Sequence, residues 1–562
     1  MTTATDRVRS LLTYIYDEQA ADELGHRIEQ RHPPAAGAPG RRRFTSADAV
    51  LISYADTVRD DAGAPPLRTL GKIVAEHADE YTHLHLLPFF PASGDGGFSI
   101  VDFTSVDPAH GSWDDISALG ARRRLMVDLV LNHVSSASDW FQSFLAGDSR
   151  YSEWFHTVDP GTDLRAVFRP RTHPLLTRYD TADGPAHVWT TFSPDQVDLN
   201  FSEPAVLETV LDVLAGYVAH GARVIRLDAV GFAWKELGTP CLHHPKTHAI
   251  VQLIRAFLDR IAPDAQIVTE TNVPHEDNIS YFGDGHGEAQ MVYNFSLPPL
   301  VVDAFARGSA ADLSAWAATL ATSGETTFFN FLASHDGIGM TPAYPILGPE
   351  RVKELARRAR DRGGDWSGRT TSDGSTVPYE LNIGLVDILA GGAADPVPEL
   401  AQRLLAAASI QFALQGVPGV YIHSHLGSRS WLAGPERTGE KRSINRERLS
   451  LGPLRTELGD PDGLRARVVA GHRRLLRARR ANDAFDPYTP HHVEPLDPRV
   501  FSVIRRHRGS EVWCVTNVSD QVVALDPPPR WAARVDVFSG RQENGPLKLG
   551  AHTYRWFQPA AE

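Results

Sequence analysis

Cysteine is almost absent from this chain, with only Cys241 and Cys514 among 562 residues. At most one bridge could form, so the fold must be held by a hydrophobic core and not by a disulfide framework. No apolar run approaches the roughly 20 residues that a membrane-spanning helix needs. A secretory leader is not legible either. Asp6, Arg7 and Arg9 interrupt the first turns, where an apolar segment and a small-residue cleavage site would stand. A basic excess is also lacking, since the net charge is -13 and the pI about 6.0. These absences exclude an anionic-membrane or nucleic-acid partner as the reading of the whole chain, and they point to a cytoplasmic protein. They leave room for a small anionic ligand, because a few local arginines outweigh a global charge.

What is present is ample core material: 42% of the residues are hydrophobic, enough for more than one domain. The first 45 residues form a polar N-terminal extension in which Leu11, Leu12, Ile15 and Tyr16 recur at helical spacing. A Pro/Gly/Arg-rich linker over 33–43 ends it. From there short apolar, β-rich runs alternate with helical stretches. The runs cover 50–54, 83–88, 125–132, 223–228, 266–270, 291–295, 327–334 and 417–423. Eight such units predict a (β/α)8 TIM barrel over 46–485. Two connections are too long for one helix. They read as lid subdomains inserted after strands 3 and 7, over 134–221 and 337–416. The remaining 486–562 carries alternating runs at 500–505, 511–517, 535–539 and 552–556, which predict a C-terminal antiparallel β domain.

Polar groups end several of the barrel runs, and that pattern carries the chemistry. Asp228 closes the fourth run, with Arg226 two residues earlier on the same strand face. A cation there keeps a carboxylate ionised, as a nucleophile requires. Glu270 closes the fifth, Asn132-His133 the third, and His335-Asp336 follows the seventh. Catalytic groups of a barrel gather at the C-terminal ends of its strands. Cleavage of a glycosidic bond with retention needs one carboxylate to attack and one carboxyl to protonate the leaving oxygen. A third carboxylate can stabilise the cationic transition state.

Taken in order, Leu131-Asn132-His133, Arg226-Leu227-Asp228, Glu270 and Ser334-His335-Asp336 resemble the four signature regions of the α-amylase superfamily, glycoside hydrolase family 13. That resemblance implies Asp228 as nucleophile, Glu270 as acid/base and Asp336 as transition-state stabiliser. It also implies that His133 and His335 hold the sugar. A narrower likeness runs along most of the chain. His85-Leu86-Leu87-Pro88-Phe89, Trp189-Thr190-Thr191-Phe192, Trp234-Lys235-Glu236, Asn294-Phe295-Ser296-Leu297-Pro298-Pro299 and Ile444-Asn445-Arg446 are similar to the sucrose phosphorylase branch. By that likeness Asp95 and Arg446 grip the glucosyl O4, Phe98 is the aromatic platform, and Gln196 reaches in from a lid. Arg171 corresponds to the branch's phosphate-facing arginine, with inorganic phosphate as co-substrate in place of water.

One position departs from the sucrose phosphorylases. Where they carry His two residues after the acid/base, this chain has Asn272. The strings Ile279-Ser280-Tyr281-Phe282-Gly283, Gly427-Ser428-Arg429 and Arg437-Thr438-Gly439 resemble the glucosylglycerate phosphorylases of the same branch. A glycerate acceptor brings a carboxylate, so extra cations are expected beside it. Arg171, Arg429, Asn272 and Tyr379 are the candidates for the acceptor and phosphate site. The expected reaction is phosphorolysis of 2-O-α-glucosylglycerate to α-glucose 1-phosphate and glycerate. Sucrose, sucrose 6'-phosphate and glucosylglycerol remain as alternative donors, and an α-glucosidase or transglucosylase as a further alternative. A non-catalytic sugar-binding barrel is disfavoured, because nucleophile and acid/base are both retained. No cofactor and no metal are expected: His243, His244 and His248 have no acidic cluster beside them and Pro245 breaks their spacing.

Overall fold

A computed structural model of the chain describes residues 3–35, 40, 42–371, 374–392 and 395–560. Residues 36–39 and 41 of the expected linker lie outside the described residues, as do short stretches of the second insertion. The eight apolar runs form eight parallel strands closed into one barrel. They are β1 Val50–Ser53, β2 His83–Leu86, β3 Arg124–Val130, β4 Ala222–Asp228, β5 Gln266–Thr269, β6 Met291–Tyr293, β7 Thr327–Asn330 and β8 Val417–Tyr421. Sheet closure buries both faces, which is why these runs are continuously apolar and do not alternate. β1 pairs with both β2 and β8, so no edge is left open.

Helices on the outside return the chain between strands. Pro204–Ala219 starts with proline at its first position, and the Glu203 carboxylate accepts from the Ala205 amide. Pro245–Ile261 likewise opens on proline. The N-terminal extension is two helices, Ala4–Ile15 and Glu18–Arg31. Asp17 separates them because its carboxylate caps the second helix at the Ala20 amide, 2.9 Å away. Both lie on the barrel's outer helices. Lys246 donates to the Ile15 carbonyl, Tyr16 to the Phe201 carbonyl, and Arg27 pairs with Glu208.

The two long connections hold small sheets of their own. After β3, His133–Ser135 pairs antiparallel with Gln196–Asp198, and Leu176–Thr181 forms a hairpin with Gly184–Trp189. After β7, Ile338–Gly339, Thr376–Asn382 and Asp365–Thr370 make a three-stranded antiparallel sheet beside the helix Tyr344–Asp361. Each connection ends in a barrel helix, Pro204–Ala219 or Val397–Ala413. The C-terminal region is a six-stranded antiparallel sheet with a two-stranded partner. Trp513, Trp531, Val515 and Phe557 pack within it. Its strand Ala533–Asp536 stops short of the expected 539, because the Asp536 carboxylate turns the chain by accepting from the Phe538 and Ser539 amides. Among the described residues, no helix is long and apolar enough to cross a membrane.

Candidate active site

Register places the key carboxyls side by side. Leu227 of β4 is directly opposite Thr269 of β5, so the next residues, Asp228 and Glu270, stand level on neighbouring strands. Neighbouring strands are about 4.8 Å apart, which suits two carboxyls sharing one anomeric carbon. The Glu270 amide continues the ladder by donating to the Leu227 carbonyl at 3.1 Å. Asp228, Glu270 and Asp336 line one cavity at this end of the barrel. Its free space, open mouth included, is about 780 Å³.

Arg226 organises the floor. Its Nη1 donates to Asp128 and, at 2.6 Å, to Asp228, while its Nη2 lies 3.8 Å from Glu270. Burial pushes the Asp128 carboxyl up, but His85 and Arg226 outweigh it and hold it at about 2. Asp128 is therefore a fixed anion beneath the pair. Burial pushes both Asp228 and Glu270 up, against the pull of Arg226. Two buried carboxyls this close titrate as a unit. Arg226 makes its shorter contact with Asp228, at 2.6 Å against 3.8 Å to Glu270. Ala229 also donates its amide to Glu270 Oε2 at 3.1 Å, fixing the carboxyl's orientation. Ala229 takes a left-handed φ of 49°, an unusual backbone state for a residue with a side chain.

Of the sugar-holding candidates, Asp95, Phe98, His133, Gln196 and His335 line the same cavity, and Arg446 stands behind Asp95. Phe98 stacks on His335 with ring centres 4.7 Å apart and planes within 4°. His133 Nε2 lies 3.2 Å from the Phe98 carbonyl and 3.1 Å from Gln196 Nε2. Burial lowers the pKa of both histidines, so they act as neutral hydrogen-bonding rings. Gln196 donates to Asp95 at 3.2 Å. Arg446 Nη1 is 3.5 Å from Asp95, and Gly96 has to be glycine: a Cβ there would stand 2.3 Å from the same nitrogen. Burial raises the Asp95 carboxyl, yet Arg442 and Arg446 overcome that and keep it below the usual carboxylate range. An ionised Asp95 beside an arginine is a grip for vicinal sugar hydroxyls.

Of the acceptor candidates, Arg171, Asn272 and Tyr379 line the cavity. Asn272 Oδ1 is buried without a hydrogen-bond partner, and Gly339 lacks the Cβ that would stand 2.6 Å from that oxygen. Burial pushes the Tyr379 hydroxyl up to about 12, so it is a neutral donor. Arg429 does not join them. Its Nη1 pairs with Asp387 at 2.7 Å, and it lines a separate surface groove beside Arg358 and Arg362. The acceptor-site expectation for Arg429 is corrected accordingly: the loop carrying it packs against the helix Leu385–Leu389, and the carboxylate there takes its charge.

Two residues of the cavity escaped the sequence reading. Arg442 pairs with Asp336 at 2.7 Å and forms a two-pronged contact with Glu380, at 2.9 and 2.6 Å. Arg442 stands two residues before Ile444-Asn445-Arg446, the string that points to Arg446, and that nearness is its only signal in the sequence. Glu380 had none, since it neighbours Tyr379 on an inserted strand of ordinary composition. It fits because Gly337 leaves space, a Cβ there falling 2.5 Å from Glu380 Cγ. Among the described residues no group of three or more His, Cys, Asp or Glu could hold a metal ion.

Comparison with known proteins identifies the family. The α-amylase catalytic domain family matches residues 80–340. A glucosylglycerate phosphorylase of Spirochaeta thermophila is 46% identical over 527 residues, covering 92% of this chain and 89% of that one. One from Allomeiothermus silvanus is 46% identical over 545 residues, 96% of each. Among solved structures, a sucrose 6F-phosphate phosphorylase from Thermoanaerobacter thermosaccharolyticum superposes with a TM-score of 0.74 at 23% identity. It covers 91% of this chain and 99% of that one; at that identity the likeness speaks for the fold alone.

Proposed function

From a chain that belongs to the α-amylase superfamily, within its glucosylglycerate phosphorylases, we propose an enzyme that reversibly phosphorolyses 2-O-α-glucosylglycerate to α-glucose 1-phosphate and glycerate with retention. The observation that carries the reaction type is the pairing of Asp228 with Glu270, level on β4 and β5 and joined through Arg226. The identity of the relatives carries the acceptor.

In the proposed sequence, glucose lies against Phe98 with O4 held by Asp95 and Arg446. His133, His335 and Gln196 take the remaining hydroxyls. Asp228 attacks the anomeric carbon while Glu270 gives its proton to the departing glycerate oxygen. The C–O bond to glycerate breaks as the bond to Asp228 forms. Asp336, held by Arg442, stabilises the oxocarbenium-like charge. Phosphate then replaces glycerate near Arg171 and Tyr379 and displaces Asp228, which restores the α configuration. Because phosphate is already an anion, this second step makes little demand on Glu270 as a base. Carboxyls and phosphate suffice for every bond change, so the proposal includes no metal or organic cofactor. The low cysteine content fits work in the cytoplasm.

The test is incubation with inorganic phosphate and 2-O-α-glucosylglycerate. The expected products are α-glucose 1-phosphate and glycerate in equal amounts. Release of free glucose at a rate indifferent to phosphate would replace phosphorolysis by hydrolysis.

A further inference from the structure

The cations around the cavity fall into two groups. Arg226, Arg442 and Arg446 each lie within ion-pair distance of two or more carboxylates. Arg171 and Arg369 have no carboxylate partner among the described residues. Arg171 makes one hydrogen bond, to the neighbouring Pro170 carbonyl at 3.4 Å, and Arg369 Nε is buried with no partner. Both guanidinia sit over aromatic rings instead. Arg171, from the first insertion, lies 5.7 Å from the Phe192 ring centre and 5.4 Å from that of Tyr379, which belongs to the second. Arg369, from the second insertion, lies 5.8 Å from the Phe168 ring centre, in the first. Phe168, Phe192 and Tyr379 all line the cavity.

Each insertion thus sends an unneutralised arginine onto an aromatic ring of the other. We infer that Arg171 and Arg369 form an anion collar shared in turn by phosphate and by the carboxylate of glycerate, with Arg369 a specificity-determining residue outside the first layer. The inference rests on the phosphorylase reading above. Neither guanidinium has a carboxylate at ion-pair distance among the described residues, so each keeps its charge beside the aromatic lining, and that of Arg171 reaches the Asp95 carboxyl, which it helps to hold down. Arginine bonds carboxylate and phosphate alike through two parallel N–H donors. Arg171 lines the cavity and makes the direct contact. Arg369 acts one layer out, by its charge and by holding Phe168 in place. Glycerate must leave before phosphate enters, so one cationic site serves both anions. A neutral acceptor, or water, gains nothing from it.

The experiment loads the enzyme from α-glucosyl fluoride, a donor with no anionic aglycone. It then measures how the glucosyl-enzyme divides between water and added phosphate, and separately between water and added glycerate, both below saturation. A ratio of products is insensitive to how much enzyme is folded. Arg369→Gln is expected to lower both trapping ratios about tenfold, the scale of losing one nearby charge in a partly solvated site. Arg369→Lys, which keeps the charge, should stay within about threefold of the parent. Ratios unmoved by Arg369→Gln for either anion would overturn the collar, as would a lysine variant that falls as far as the glutamine one. If the unaltered enzyme is trapped by phosphate but not by glycerate, the acceptor reading fails; the phosphate arm still reports on Arg369.

Discussion

The floor and the roof of the cavity use arginine in opposite ways. On the floor, Arg226 is buried between Asp128, Asp228 and Glu270, with its charge fully taken up. In the roof, Arg171 and Arg369 lie over aromatic rings with no acid at ion-pair distance among the described residues. A neutralised buried arginine is a scaffold: it fixes carboxyl positions. An unneutralised one is a binding site awaiting an anion. The floor stands on barrel strands whose register is set by core packing, whereas the roof stands on the inserted connections, Arg171 in a loop and Arg369 on the strand Asp365–Thr370. On the proposed roles, the difference teaches where each property would be encoded: bond chemistry in the barrel, choice of acceptor in the insertions.

Damage to the floor should be the most severe. Asp228→Asn removes the nucleophile but keeps the shape, and turnover of every glucosyl donor is expected to fall by at least about 10⁴-fold. The thermal midpoint should hold or rise, since burial already disfavours the anion at that position. Comparable turnover of glucosylglycerate by this variant would move the nucleophile elsewhere and dissolve the contrast between floor and roof.

Glu270→Gln comes next and is selective. Loss of the proton donor should cost about 10²–10⁴-fold with glucosylglycerate, whose leaving oxygen needs protonation. It should cost far less with α-glucosyl fluoride, whose leaving group needs little. The pH profile carries the sign. The proposed cleavage requires one proton on the pair, with Glu270 protonated and Asp228 ionised. Burial raises this pair, so the fall in kcat/KM on the alkaline side should lie above the ordinary carboxylate range. Below the pair's lower titration Asp228 protonates as well, and activity falls again. In the glutamine variant the alkaline fall should disappear from the fluoride reaction. A profile flat through the neutral range for the unaltered enzyme would assign the proton to another group.

How far the sequence could be read follows the same division. β1 to β8 were legible because closure buries both strand faces, leaving continuous apolar runs bounded by turns. Asp228, Glu270 and Asp336 were legible because they sit at or just beyond strand ends, where packing gives no reason for a charge. Arg442 and Glu380 were not. Glu380 reaches the cavity through a fold-back that sets strand Thr376–Asn382 beside Ile338–Gly339, and Arg442 meets it from 62 residues further along the chain, contacts no local pattern announces. Arg369 shares that history, since its partner ring, Phe168, is about two hundred residues away in the chain. The error over Arg429 has the same root. Its charge was visible in the sequence; the Asp387 that absorbs it was placed only by tertiary packing.

Arg429 therefore offers the mildest and sharpest check on the roof. It belongs to the string that matches the glucosylglycerate phosphorylases, so likeness alone would give it an acceptor role. Its side chain is 45% exposed and ion-paired 2.7 Å from Asp387, outside the cavity. Exposed pairs of this kind contribute about 0–1 kcal/mol, because solvent screens them and two long side chains lose freedom. Arg429→Ala should then shift the thermal midpoint by only a few degrees and change the KM for phosphate and for glycerate by less than about twofold. The parallel substitution Arg171→Ala should raise both KM values by tenfold or more, the scale of losing a charged hydrogen-bonding group. A rise in the glycerate KM alone on losing Arg429 would mean that the loop moves when acceptor binds and that the second cation of the roof is Arg429 and not Arg369.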